Sequence, residues 1–186
     1  MSVPSQKTGE TKVVGETFLA KARDLLGSDY WPKIERSLEI VSDEQVWWRS
    51  HDESNSIGNL MLHLSGNARQ WIVSGVGGAN SVRDRPQEFA ERSLIPRDEL
   101  IKQLRETLAD VDEVLRRLDP ATLLERRTIQ GSDVTLLEAI FHVVEHFSMH
   151  TGQIILLAKM LTGSDLAFYD FSSGAPRHSW ERKPGE

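Results

Sequence analysis

The stretch Ile140-Phe141-His142-Val143-Val144-Glu145-His146-Phe147-Ser148-Met149-His150-Thr151-Gly152-Gln153-Ile154 decides how this chain is read, because three of the chain's six histidines fall in it at four-residue spacing. At about 100° per residue, His142, His146, His150 and Gln153 lie along one stripe of an α-helix. The stripe borders Val143, Phe147, Ile154 and Leu157 and is therefore expected to face the core. One buried imidazole needs one hydrogen-bond partner. A buried column of them calls for a stronger reason, and a metal ion is the usual one.

Around that stretch the helix is well delimited. Thr135-Leu136-Leu137-Glu138 is a capping box, the pattern runs to Leu161, and Gly163 is placed to end it. Most of the circumference is apolar, with Glu145, Ser148, Gly152 and Lys159 marking a thin polar strip. Such a helix is expected to be covered by its neighbours or by a second subunit. Three further helical segments precede it. Val13, Val14, Phe18, Ala22, Leu25 and Leu26 recur at helical spacing, Gly27 and Pro32 interrupt, and Ile34, Leu38 and Val41 resume the pattern, which predicts a kinked helix or two short ones. Trp47 and Trp48 then open a loop. A second helix is expected from Ser54–Ser56, three good N-cap types, to Gly75, with His63 inside it. Asn59, Gly66, Asn67 and Gln70 share the face of His63, and Gly66 costs about 1 kcal/mol relative to Ala there, so close backbone packing is expected. A charged connection holds Arg83-Asp84-Arg85, read as a loop or capping network. Leu100, Leu104, Leu108, Val111, Leu115 and Leu118 mark a third helix, stopped by Asp119-Pro120. Residues 121–134 read as a connector, and no run has strand period.

The whole chain fits one all-α domain, a four-helix bundle with a kinked first helix and a partly packed tail anchored by Phe168, Tyr169, Phe171 and Trp180. The expected divisions are a disordered N-terminus over 1–10, the bundle over 11–170 and the tail over 171–186. At 186 residues, a single domain buries about 70% of its unfolded surface. The net charge of −6 argues against nucleic acid as a partner. With no cysteine, disulfides, thiolate ligands and a cysteine nucleophile are excluded, so any thiol chemistry must use an external thiol. Neither a signal-peptide core nor a membrane-spanning run is present, which reads as a cytoplasmic protein with no membrane partner.

Two histidines four apart on a helix can share one metal ion, and the third ligand must come from elsewhere. His63, on its polar helix face, is the natural candidate, since bundle metal sites are built from facing helices. Spacing alone leaves His142 with His146 as good a pair as His146 with His150. The run His142-Val143-Val144-Glu145-His146 also matches the H-x-x-E-H pattern of inverted zinc proteases, a short motif easily met by chance in enzymes much larger than this chain. Three imidazoles suit zinc, nickel, iron or copper and leave a coordination position open for water or substrate.

Taken together, Asn55 to Asn67, the Arg83-Asp84-Arg85 cluster with Glu88-Phe89, and His142 to Ile154 resemble the DinB/YfiT-like superfamily of small metal-binding four-helix bundles, over about residues 15–170. The resemblance implies an up-down-down-up bundle, often dimeric. It also implies a divalent metal held by His63, His146 and His150, with zinc or nickel first and iron third. Asn59, Asn67, His142 and Gln153 are expected to support those ligands or line the pocket, and the parts played by Arg83 and Arg85 stay open. Characterised relatives include transferases and isomerases that use low-molecular-weight thiols, and others resemble metal-dependent hydrolases. The expected function is therefore a metal-dependent enzyme acting on a small molecule with an external thiol, as a homodimer. The rivals are a metal-dependent hydrolase and a non-catalytic binding bundle.

Overall fold

The computed structural model describes residues 4–80, 82–172 and 174–181. It is mostly helical, with two small two-stranded sheets among the described residues. The first helix, α1 (Pro4–Asp24), runs through a π segment (Leu25–Tyr30) into α2 (Trp31–Glu39). The expected interruption at Gly27 and Pro32 is thus a stretch of wider helical turns. Pro32 sits in the first turn of α2, where its missing N–H costs little. The disordered segment expected over residues 1–10 is corrected for 4–10, which are helical from Pro4, a residue preset for the first helical position. Residues 1–3 lie outside the described residues.

A four-residue helix, α3 (Asp43–Val46), follows, closed by a capping box between Ser42 and Gln45. Helix α4 (Ile57–Ala68) starts at Ser56, whose hydroxyl accepts from the Asn59 N–H, and continues as a second π segment (Arg69–Val76). The charged connection holds a helix of its own, α5 (Arg85–Ala90), capped by Asp84. Helix α6 (Arg97–Arg117) buries the predicted stripe from Leu100 to Leu115. The connector expected over 121–134 instead contains an antiparallel hairpin, β1 (Arg126–Ile129) with β2 (Ser132–Thr135). Its turn residues Gln130 and Gly131 both have positive φ, 52° and 79°, the conformation a two-residue hairpin loop requires.

Helix α7 (Leu136–Thr162) has the predicted capping box at Thr135 and ends on Gly163 at φ 67°, a left-handed cap. The tail forms β3 (Tyr169–Asp170) and β4 (Arg177–His178), so the expected boundary at residue 170 falls inside one hairpin. Trp180 Nε1 donates to the Ser28 carbonyl at 3.2 Å and pins the tail to the first π segment. His178 Nε2 lies 3.0 Å from Asp29 Oδ1, a second tie between the tail and that segment. Residues 182–186 lie outside the described residues.

The core lies where α4 packs on α6 and α7, and α7 on α2 and the second π segment. Its apolar side chains include Leu38, Leu64, Leu104 and Phe147, all fully buried. Phe147 sits on the core side of α7 between His146 and His150 in sequence, so its packing sets where that helix places its histidines. No described helix is long and apolar enough to cross a membrane.

Phe147→Ala is expected to cost about 3–5 kcal/mol in chemical denaturation, the transfer and cavity penalty of a fully buried ring. Leu124→Ala, at a position 70% exposed, should stay within about 0.5 kcal/mol of the parent.

Candidate metal centre

Helices α4 and α7 bring His63, His146 and His150 together, with one ring nitrogen from each lying within 4.8 Å of the others. Two of the three are buried and His146 is half-buried. His63 Nε2 and His146 Nε2 are 2.8 Å apart. The ring of His150 stands edge-on to both, with centroids 5.2 Å from His63 and 4.4 Å from His146. His142 stacks one turn earlier, 5.3 Å from His146 between ring centroids, and is outside this group. Of the two pairs that spacing leaves open, His146 with His150 is the one that meets His63.

The outer nitrogens determine which atoms face inward. His63 Nδ1 lies 2.9 Å from Glu88 Oε2. A carboxylate only accepts, so this contact puts the proton on Nδ1 and leaves Nε2 its lone pair; Arg83 Nη2, 3.1 Å from the same nitrogen, donates instead to Glu88 Oε2 at 2.8 Å. His150 Nδ1 lies 2.6 Å from Gln153 Oε1, which assigns its proton in the same way. His150 Nε2 is then a buried acceptor with no hydrogen-bond partner. An orphaned lone pair in a buried site is costly unless something electropositive fills the centre. The donor set therefore fits a divalent transition ion: neutral imidazoles converge, and outer groups hold the rings. No metal identity follows from the geometry.

The electrostatics agree. Burial, with the neighbouring His150 and His63, pushes the His146 pKa down to about 3. Burial also lowers those of His150, against its Gln153 hydrogen bond, and of His142. At neutral pH these rings are uncharged and can ligate. Burial would raise the Glu88 pKa, but hydrogen bonds from Arg83 and His63 outweigh it and hold the carboxyl below the ordinary range.

Glu88 and Arg83 are the residues the sequence reading did not assign. The Arg83 fork reaches both carboxylate oxygens, Nε to Oε1 at 2.6 Å and Nη2 to Oε2 at 2.8 Å, and Nη1 donates to Gln70 at 2.9 Å. The Arg83 side chain is only 5% exposed, so it is no solvated loop charge. Phe89 packs on His63 at 4.6 Å, and Arg85 lies over the Phe89 ring. No spacing rule could have paired Glu88 with a histidine 25 residues away; the one signal was Gly66. A Cβ at Gly66 would lie 1.9 Å from Glu88 Oε1, so the glycine is what lets the carboxylate reach His63.

The remaining predicted residues divide by contact. Gln153 touches a histidine of the cluster directly. Asn59 touches none. It accepts from the Ser56 N–H and donates to the Glu88 carbonyl at 2.9 Å, tying the start of α4 to α5. Asn67 Nδ2 donates to His142 Nε2 at 3.2 Å, and the His142 ring packs on Trp71 at 4.3 Å. Asn67 Oδ1 is buried without a partner.

Gly66→Ala should weaken metal binding by roughly 10- to 100-fold, the effect of losing an outer partner of a ligating histidine. Competition titration with a chromogenic chelator reads it. Helix propensity alone favours Ala by about 1 kcal/mol, so lost affinity in a folded variant isolates the clash with Glu88. Unchanged affinity would show that Glu88 does not orient His63.

Comparison with known proteins follows the same lines. Residues 13–174 match the model of the family described as "Protein of unknown function (DUF1572)". The fold is similar to a conserved protein from Enterococcus faecalis, with a TM-score of 0.66 and 14% identity over 78% of this chain and 97% of that one. It is also similar to a DinB-like protein from Bacillus cereus, with a TM-score of 0.62 and 16% identity over 81% of this chain and 94% of that one. No curated protein matches the chain. With a family model that matches most of its length, the chain belongs to the DUF1572 family, and its fold is similar to that of a DinB-like protein.

Proposed function

We propose that this chain is a metal-dependent enzyme in which His63, His146 and His150 hold one divalent transition ion, zinc or nickel first and iron third. The observation that carries the reading is the convergence of three ring nitrogens within 4.8 Å, one of them a buried orphan. Three protein ligands leave a position for an exchangeable group, the pattern of catalytic sites. Bound there, such an ion acts as a Lewis acid that lowers the pKa of a thiol or water beside it. The chain has no cysteine, so a thiol would be an external low-molecular-weight one, used for S-transfer or isomerisation of a small molecule.

The protein's own residues have separable parts in this scheme. Glu88 and Gln153 fix the tautomers and orientations of His63 and His150. Arg83 keeps Glu88 ionised. Asn67 and His142 form a hydrogen-bonded polar pair one turn along from the ligands. The long helices are read as an up-down-down-up bundle working in the cytoplasm, with neither nucleic acid nor membrane as partner.

Elemental analysis of protein purified without an affinity tag tests the centre: about one transition ion per chain is expected for a three-ligand site, lost in His63→Ala. Turnover of an electrophile that requires added thiol supports the transferase reading. Metal-dependent turnover without thiol would replace it with a hydrolase, and metal without turnover with a binding module. Absence of metal in the parent would overturn the whole scheme.

A homodimer through α7 belongs to the same proposal. Phe141, Met149, Leu156 and Met160 recur at helical spacing along α7 and are 54–66% exposed, an apolar stripe of the kind that marks an interface. Sedimentation should give twice the chain mass for the parent and the single-chain mass for Leu156→Lys. A parent that sediments as one chain refutes the dimer.

A further inference from the structure

Three arginines gather at α5, the short helix that backs the histidine cluster. Arg92 Nη1 donates to the Phe89 and Glu91 carbonyls at 2.7 Å and 2.8 Å. Asn59 Nδ2 points at the same two carbonyls, and Asn59 Oδ1 accepts from Arg49 Nη2 at 3.1 Å. Arg85 lies over the Phe89 ring. Arg85 and Arg92 are thus joined to His63 through Phe89, and Arg49 through Asn59 and Glu88.

The carboxylates nearby are committed elsewhere. Glu88 faces His63 and Arg83, Asp84 caps α5, and Glu91 accepts from Ser93 and Gln87. Among the described residues, neither Arg49 nor Arg92 has an ion pair with any of them. Arg49 is the decisive member. It is part-buried in a loop of mostly exposed residues, and its Nη1 is buried without a partner. A charged donor left unsatisfied costs more than a neutral one. Burial and the nearby Arg92 both pull the Arg49 pKa below its ordinary value, with Asp52 opposing them.

An anion at this point supplies both the missing acceptor and the missing counter-charge. The chain as a whole carries a net charge of −6 and repels anions, so a local excess of arginine is what draws one in. The fork of a guanidinium matches the two oxygens of a carboxylate. A phosphate brings three strong acceptor oxygens and more charge, and asks for more free donors than one unpaired nitrogen and an exposed arginine offer.

We propose that Arg49 and Arg92 form a carboxylate subsite beside the histidine cluster, so that the small molecule handled there is an acid. Its role as substrate rests on the metal-dependent reading above, whereas the anion site itself does not. The probe is 4-fluorobenzoate, followed by fluorine NMR on the full chain, as purified and again after a chelator. Saturable binding that weakens with added salt is expected in both samples. Arg49→Gln and Arg92→Gln should each weaken it by about tenfold or more, the loss of one charge-assisted hydrogen bond. Arg92 is exposed, so its variant keeps the test open if Arg49→Gln folds poorly. No saturable binding, equal binding by the parent and the folded variants, or equal binding of neutral 4-fluorobenzamide would overturn the subsite. Inorganic phosphate binding more tightly than 4-fluorobenzoate would overturn the carboxylate class. Elemental analysis of the same samples separates the two readings. Metal without carboxylate binding removes the subsite and leaves the metal centre, and carboxylate binding without metal keeps the subsite and removes its substrate role.

Discussion

Three imidazoles between α4 and α7, two buried and one half-buried, with fewer internal partners than their nitrogens require, set the terms for the structure around them. His63 and His146 approach to 2.8 Å, and His150 keeps a buried nitrogen unpaired. Burial makes protonation expensive, which drives the His146 pKa down to about 3. The same burial that makes the rings costly as polar groups makes them available as neutral ligands. Packing and chemistry are therefore coupled, because Phe147 on the core side of α7 fixes the helix rotation that aims His146 and His150.

The coupling extends outward through polar contacts. Helix α5 has no buried residue of its own, so apolar burial does not hold it in place. It is held by the Glu88 carboxylate on His63, by Phe89 on the same ring and by the Asn59 amide on its carbonyls. Arg83 completes the set from the preceding loop. A buried carboxylate next to a histidine is tolerable only with such a charge-assisted fork, since desolvation alone would neutralise it. The position of α5 is in this sense a consequence of the histidine cluster and the groups that hold its rings.

Much of this was legible in the residues. The helical periods of α1, α4, α6 and α7, the N-cap among Ser54–Ser56, the capping box at Thr135 and the Gly163 cap are local signals and appear where the pattern puts them. The histidine column is equally local, since spacing of four on a helix fixes a common face. Shorter elements were not legible. Helix α5 has six residues and no apolar stripe, and the β1–β2 hairpin turns on Gln130-Gly131 rather than on a stronger turn pair. The π segments have no sequence period distinct from that of the helices they interrupt.

By itself the sequence determined the helices, their core faces and the histidine types available for a metal, because backbone periodicity and capping act within a few residues. Spacing left two histidine pairs open and only the family resemblance pointed to one of them; the tertiary structure is what brings His146 and His150, not His142, to His63. It alone brought Glu88 and Arg83 behind that ring and showed that Gly66 makes room for them. Those choices depend on the rotation and separation of α4 and α7, and on α5, which is placed by contacts between residues far apart in the chain. No local pattern encodes such distances, because they emerge only when whole helices pack.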